Sequence, residues 1–113
     1  MTTTPGYGHQ LSPDHEFQLL LSWGDPVLPG APAFDPLDQN AQAQAKQFGS
    51  NCDFIGYFPL PRGSNNSRRG LLCVNHEFTN EEWMFSGLGR QDRKAKSAGM
   101  TRELVDIEMA AHG

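Results

Sequence analysis

Glycine and proline are the residues that most constrain this fold, because they interrupt helices and favour tight turns. The chain of 113 residues contains 12 glycines and eight prolines, a frequency that predicts short strands and turns rather than long helices. A chain of this length corresponds to one small domain or to part of a larger one. Hydrophobic residues make up 37% and charged residues 19%, which excludes a strongly charged disordered tail.

Charge, hydropathy and cysteine content disfavour several functional classes. The net charge of −4 provides no basic surface for nucleic acid. No segment approaches the roughly 18 consecutive apolar residues of a membrane-spanning helix, and residues 1–30 lack the basic-then-apolar pattern of a signal peptide. The two cysteines, Cys52 and Cys73, are too few for a disulfide framework and do not have zinc-ribbon spacing. A metal site assembled from scattered residues is compatible with all of these features.

The first third of the chain predicts one strand between irregular segments. Residues 1–16 are rich in glycine, proline and histidine, which predicts an irregular lead-in. The apolar run Phe17–Trp23 predicts a buried strand, and the following Gly24–Pro26 predicts a turn that ends it. The proline-rich residues 27–37 predict an extended loop.

Residues 38–48 carry the helical pattern of this chain. Alanine and glutamine favour a helix there, Asp38 or Asn40 can cap its start, and Gly49 suits the position after its end. The face of this helix that is expected to be buried consists of Leu37, Ala41, Ala45 and Phe48.

The clearest sequence pattern in the chain is that of a β-hairpin. Its strands are Cys52–Pro59 and Gly70–Phe78, and the polar loop Leu60–Arg69 joins them. If the loop is centred between Ser64 and Asn65, Pro59 lies opposite Gly70. This pair fixes the register of all the other pairs. The loop contains three arginines that we expect to be solvated, with phosphate attraction as the lesser alternative: Arg62, Arg68 and Arg69.

Beyond the hairpin, Thr79–Phe85 predicts a short helical turn with Trp83 and Phe85 packed inward. Residues 86–100 are rich in glycine, lysine and arginine and are predicted to be exposed. Their Gly87–Gly89 segment lacks the strand–helix context of a phosphate-binding loop.

The last segment alternates between apolar and acidic residues. Val105, Ile107 and Met109 are separated by single acidic residues, which is the period of a half-buried strand. A helix that is capped by Thr101 is the alternative. We therefore expect about four strands and one helix, an arrangement that leaves sheet edges bare. The fold class predicted is mainly β, and the chain is interpreted as the N-terminal portion of a larger β-rich protein.

One face of the predicted hairpin brings potential metal ligands together. Cys52 lies opposite Glu77 in the predicted register, with Cβ atoms roughly 5 Å apart, and Asn75 is on the same face. A thiolate suits iron, zinc or copper, whereas amide and carboxylate oxygens suit calcium. The alternative for Cys52 is a small buried residue, and Asn75 and Glu77 could equally be solvated or cap a turn.

The same register separates Cys73 from Cys52 by distance along the strand, and it places His76 on the other face. Cys73 lies opposite Gly56, roughly 13 Å along the strand from Cys52, which is too far for a disulfide, whose Cα atoms lie within about 7 Å. We interpret Cys73 as a core residue. His76 alternates to the other face, where a half-buried histidine is favoured over a ligand.

Four segments, read in order, resemble the PhoX-type alkaline phosphatases. These segments are Trp23–Leu28 (WGDPVL), Gln47–Phe54 (QFGSNCDF), Leu71–Thr79 (LLCVNHEFT) and the closing Glu108–Gly113 (EMAAHG). The resemblance covers residues 17–113, and the order of the segments is far more specific than any one of them.

This resemblance implies a β-propeller enzyme that hydrolyses phosphomonoesters with a mixed iron and calcium centre. By motif position, Cys52 would be the iron-binding cysteine, Glu77 a carboxylate ligand of the cluster, and Asn75 a residue in or near its shell. Residues 17–113 would then form about the first blade of the propeller. Hydrolysis of a phosphoester needs neutralised phosphoryl oxygens and an aligned nucleophile, which multivalent ions can supply.

Two departures from the family pattern shape the expectation for this chain. Family members are several times longer, so further ligands and most blades are missing, and the chain alone is expected to be inactive. The resemblance also implies a periplasmic or secreted location, although the family's twin-arginine signal is absent from Met1–Pro5. The alternatives from other classes are a noncatalytic β-propeller and a small metal-binding module.

Overall fold

A computed structural model describes residues 11–91 and 99–112 of the chain. These residues form five regular elements, in the order α1 (Ala41–Gln44), β1 (Ile55–Pro59), β2 (Gly70–Val74), α2 (Glu81–Met84) and α3 (Arg102–His112). The fold is therefore a small antiparallel β unit with a few helices. No helix in the described part of the chain is long and apolar enough to cross a membrane.

The hairpin adopts the predicted register. β1 and β2 are antiparallel, with Pro59 opposite Gly70 and Ile55 opposite Val74, so the prediction is confirmed, although each strand is shorter than expected. Asn66 organises the loop, because its side-chain amide donates to the Leu60 carbonyl at 3.0 Å and its backbone carbonyl accepts from the Tyr57 hydroxyl at 2.9 Å. The three loop arginines are exposed, as predicted: Arg62, Arg68 and Arg69.

Helix α3 replaces the strand predicted around Ile107, so that prediction was wrong and the helical alternative is correct. The Leu104 N–H donates to Thr101 Oγ1 at 3.3 Å, which caps the first turn. Ile107 is 1% exposed and Ala111 0%. Residues four apart share one face of a helix, so this face, rather than the alternating set, is the buried one.

Helix α1 is much shorter than the predicted helix over 38–48. Asn40 caps it, since its side-chain oxygen accepts from the Ala43 N–H at 2.9 Å. The chain then leaves the helix, because Phe48 pairs with Asp25 through an N–H···O bond of 2.8 Å. The predicted buried face was wrong for Leu37, which is 84% exposed, and for Ala45, which is also exposed, whereas Ala41 packs against the core as predicted. The buried side chain of α1 is Gln44.

The strand predicted over Phe17–Trp23 is absent. These residues do not form a strand, and the side chains of Phe17–Leu21 are exposed. The predicted turn that follows is confirmed, because the Asp25 N–H donates to the Ser22 carbonyl at 3.0 Å. Gly24 has a φ of +89°, a conformation that glycine adopts without strain.

The buried core lies between helix α3 and the C-terminal end of α2. It consists of Met84, Phe85, Ile107 and Ala111, with partly buried residues packed around them: Trp23, Ala41, Leu88, Met100 and Leu104. The short helical turn before residue 86 is confirmed, and Phe85 packs inward as predicted. Trp83 does not, since it is 75% exposed. Of the predicted exposed segment 86–100, residues 92–98 lie outside the described residues.

Candidate functional site

Cys52 and His76 meet at the open end of the hairpin. The Cys52 Sγ lies 3.3 Å from His76 Nδ1, so the prediction that His76 lies on the other face was wrong. The cause is a change of register beyond the ladder. The Asn75 N–H donates to Phe54 O, as the hairpin register requires, but the Glu77 N–H donates to Asn51 O, one residue earlier than the predicted Cys52.

Asn51 provides the conformational reason for this change. Its φ of +52° lies in the left-handed region, which asparagine tolerates better than most residues. Its side-chain Nδ2 donates to Phe78 O at 2.7 Å and to Asn80 Oδ1 at 3.1 Å. These bonds hold the turn in place, so that one extra residue is accommodated between Asn51 and Phe54.

The imidazole of His76 is held by the segment that precedes Cys52. The rings of Phe48 and His76 are 4.9 Å apart between centroids, at an interplanar angle of 80°. Gly49 lies against the same ring, and a Cβ at this position would be 2.8 Å from His76 Cγ. His76 is half-buried as predicted, and its ring plane is set by these contacts.

Asn75 uses its side chain to organise the backbone next to Cys52. Its Oδ1 accepts from the Phe54 N–H at 2.8 Å and from the Asp53 N–H at 3.3 Å. Its Nδ2 donates to the Asp53 carboxylate. The amide therefore ties the two strands together beyond the end of the ladder.

Glu77 has a fixed backbone and an exposed side chain. Its N–H donates to Asn51 O at 3.0 Å, and its carbonyl accepts from His112 Nε2 at 2.8 Å. Within the part of the chain that the structure describes, the carboxylate makes no hydrogen bond or ion pair. The exposed carboxylate is accessible to a ligand.

Electrostatics at Cys52 disfavour an isolated thiolate. Partial burial, and secondarily the carboxylate of Asp53, raise the pKa of the Cys52 thiol. A cation or a hydrogen-bond donor next to the sulfur would stabilise the ionised form. Both cysteines are free and exposed, so the interpretations of Cys73 as a core residue and of Cys52 as a small buried residue were wrong.

The donor set of this chain fits iron and calcium in kind but not in number. Cys52 offers a soft sulfur and Glu77 a hard oxygen, which are ligand types for these two ions. Among residues 11–91 and 99–112, however, no three or more His, Cys, Asp or Glu side chains are grouped closely enough to hold a metal ion. A complete site requires further ligands.

An apolar groove of about 510 Å³ opens beside Cys52. The extended segment that was predicted to be a strand forms one wall, and the hairpin forms another through Ile55, Leu72 and Val74. The apolar segment and the hairpin thus face each other across this groove.

Comparison with known proteins settles the family. The profile of the family described as alkaline phosphatase PhoX matches residues 3–113. The chain belongs to the PhoX family. Among solved structures it is similar to Pseudomonas fluorescens PhoX in complex with vanadate, a transition state analogue, with a TM-score of 0.61 and 34% sequence identity. No curated protein matches the chain.

The resemblance to PhoX that the motifs indicated is therefore confirmed. The structural match covers 85% of this chain but 15% of the Pseudomonas fluorescens chain. PhoX proteins are metal-dependent phosphatases. Sequence reasoning missed the contact of His76 with Cys52. His76 directly precedes Glu77, but the strand alternation was extended beyond the pair of Asn75 and Phe54, where it no longer holds.

Proposed function

We propose that this chain is the N-terminal portion of a PhoX-type alkaline phosphatase that hydrolyses phosphomonoesters. The observation that carries the proposal is the family match over residues 3–113. The relative from Pseudomonas fluorescens binds vanadate, described as a transition state analogue. Vanadate can adopt the trigonal-bipyramidal geometry of phosphoryl transfer, so a phosphate-ester substrate is the chemistry that this likeness supports.

We propose Cys52 and Glu77 as metal ligands, with iron bound by the Cys52 thiolate and an iron–calcium cluster bound by the Glu77 carboxylate. The exposed sulfur of Cys52 supports this role, and so does the Glu77 carboxylate, which has no hydrogen-bond or ion-pair partner among residues 11–91 and 99–112. When bound, the metal ions would supply neutralisation of the phosphoryl oxygens and activation of the attacking water. No covalent nucleophile from this chain is part of the proposal.

The remaining polar residues position these two ligands. Asn75 holds the backbone at Asp53 and Phe54, and this set of bonds supports a place for Asn75 in the shell around the centre rather than as a direct ligand. His112 holds the Glu77 carbonyl, which limits the rotation of the peptide that carries the carboxylate.

The rest of a longer protein is proposed to cover the hairpin. Both of its faces expose large apolar side chains, among them Phe58 and Leu71 on one face and Ile55 and Leu72 on the other. A two-stranded hairpin is at best marginally stable alone. We propose that residues 17–113 form about the first blade of a β-propeller, that residues 1–16 lead into it, and that the 113 residues alone are inactive.

A periplasmic or secreted location is part of the same proposal, and it is supported by the family resemblance alone. Fractionation of cells that produce the full-length protein checks it. Activity in the periplasmic or extracellular fraction is the expected result, and activity confined to the cytoplasmic fraction would contradict it.

The functional proposal is tested on the full-length protein that contains this chain. We expect iron and calcium by elemental analysis together with turnover of p-nitrophenyl phosphate at alkaline pH. Cys52→Ala should lose iron and activity together, and Glu77→Ala should lose metal and activity, whereas the matched control Cys73→Ala should keep both. A Cys52→Ala protein with normal iron and activity would refute the ligand assignment. A folded, metal-free and inactive wild type would instead favour a noncatalytic propeller.

A further inference from the structure

The proposed function leaves the contact between Cys52 and His76 without a role. We propose that His76 is a positioning residue, whose Nδ1–H donates a hydrogen bond to the Cys52 sulfur and holds it in the orientation in which it binds iron. This inference rests on the proposed function, since it presupposes that Cys52 is a metal ligand.

The geometry of the pair supports a directed hydrogen bond. The Sγ–Nδ1 distance of 3.3 Å is suited to an N–H···S bond, which is longer than an N–H···O bond because sulfur is larger. A hydrogen bond to an anionic acceptor is stronger than one between neutral groups. The contact therefore strengthens when the sulfur is ionised, which is the state that binds metal.

The imidazole cannot easily turn away from the sulfur. Phe48 packs edge-on against the ring. Gly49 lies so close to the ring that even a methyl group on its Cα would collide with it. The backbone on both sides of His76 is also held, because the Asn75 and Glu77 N–H groups donate to the facing strand at 3.3 and 3.0 Å. Ring and backbone are thus fixed independently.

Such an arrangement matches the way in which outer residues tune metal ligands. A hydrogen bond to a ligand fixes its orientation, and loss of the bond typically lowers metal affinity roughly 10–100-fold. An N–H···S bond also withdraws electron density from the sulfur, which changes the electronic properties of an iron–thiolate centre. His76 therefore has an expected spectroscopic effect that a residue with a merely structural role would not have.

The test compares two amide substitutions in the full-length protein loaded with iron(III). In His76→Asn, the side-chain N–H occupies nearly the position of the imidazole Nδ1, whereas in His76→Gln the amide is displaced by one bond, toward the position of Nε2. His76→Leu removes the donor altogether. His15→Leu is the matched control, because His15 is exposed and its ring nitrogen contacts Ser12 in a different segment.

Two quantities are measured: the dissociation constant of iron, by chelator competition, and the wavelength of the sulfur-to-iron charge-transfer band. For His76→Leu and His76→Gln we expect affinity to fall roughly 10–100-fold and the band to move to longer wavelength. His76→Asn should lie close to the wild type in both, and His15→Leu should not differ from it. The comparison of Asn with Gln stays decisive if His76→Leu does not fold.

Cys52→Ser separates failure of this inference from failure of the proposed function. If Cys52→Ser abolishes the band while all three His76 variants keep wild-type affinity and wavelength, the role of His76 is refuted and the ligand assignment stands. The role is equally refuted if His76→Asn is as impaired as His76→Gln. If Cys52→Ser keeps both iron and the band, the ligand assignment itself fails, and the inference fails with it.

Discussion

Gly49 and Ala111 are in such close contact that no side chain fits between them. A Cβ on Gly49 would lie 2.2 Å from the Ala111 carbonyl oxygen, and the neighbouring Ser50 N–H donates to that same oxygen at 3.2 Å. Through this contact, the segment that leads to Cys52 docks on the end of helix α3. The position of the proposed ligand therefore depends on a helix some sixty residues later in the chain.

Gly49→Ala is expected to destabilise the full-length protein by about 1–3 kcal/mol, because the added methyl group overpacks a backbone contact. Urea unfolding should show a lower midpoint. Gly99→Ala is the matched control, since a Cβ there meets the flexible end of Leu88 at 3.2 Å, and it should change stability by less than about 0.5 kcal/mol. Equal midpoints for the two variants would show that the contact with Ala111 yields easily.

Gln44→Leu should cost about 1–3 kcal/mol, because it leaves the Trp23 indole N–H without its acceptor in a partly buried position. The present bond is 2.9 Å long, and the Gln44 amide also donates to Phe48 O. Thermal unfolding followed by tryptophan fluorescence measures the loss. Gln42→Leu, on the exposed side of the same helix, should have little effect, and similar losses in both variants would contradict the prediction.

Asp53→Asn should accelerate alkylation of Cys52 in the metal-free protein. Burial and the Asp53 carboxylate both raise the thiol pKa, so less thiolate is present at a given pH. Removal of the carboxylate lowers that pKa, although burial keeps it above its ordinary value. Iodoacetamide labelling of the Cys52 peptide, followed by mass spectrometry from pH 7 to 10, should show the rate profile moving to lower pH. A profile that is unchanged or moves upward would exclude a charge effect from Asp53.

Asn75→Asp should lower iron content. The Asn75 side-chain amide donates to the Asp53 carboxylate, and a carboxylate in its place would repel Asp53. The backbone beside Cys52 is then less firmly held. Elemental analysis of the full-length variant measures the loss. Asn65→Asp introduces the same charge in an exposed part of the hairpin loop and should leave iron content unchanged. Equal iron content in both variants would mean that Asn75 does not support the centre.

The apolar faces of the hairpin should make the isolated 113-residue chain associate in solution. Ile55 and Leu72 are 65% and 51% exposed, and such surfaces favour aggregation when nothing covers them. Ile55→Lys with Leu72→Lys should reduce association in size-exclusion chromatography but lower the folded yield of the full-length protein. Ser67→Lys, in the exposed loop, serves as the control. Normal yield of the double variant would show that this face is not covered.

The hairpin and the helix near the C-terminus differ in how far sequence reasoning could succeed. The hairpin register depends on a single loop between two strands that are neighbours in the sequence, so local pattern predicted Pro59 opposite Gly70 correctly. The alternation around Ile107 fits a strand, yet Thr101 and the four-residue spacing of Ile107 and Ala111 fit a helix equally well. Only packing against Met84 and Phe85 distinguished between the two, because it buries one helical face.

The candidate site, too, was only partly predictable from the sequence. Sequence alone identified the family and the two proposed ligands, because Cys52 and Glu77 lie within motifs whose order is distinctive. Tertiary structure decided the partner of Cys52: the left-handed backbone of Asn51 shifts the register by one residue, and Phe48 and Gly49 then orient the His76 ring toward the sulfur. Strand alternation could not reveal this contact, since it is a rule about paired backbone and ends where the pairing changes.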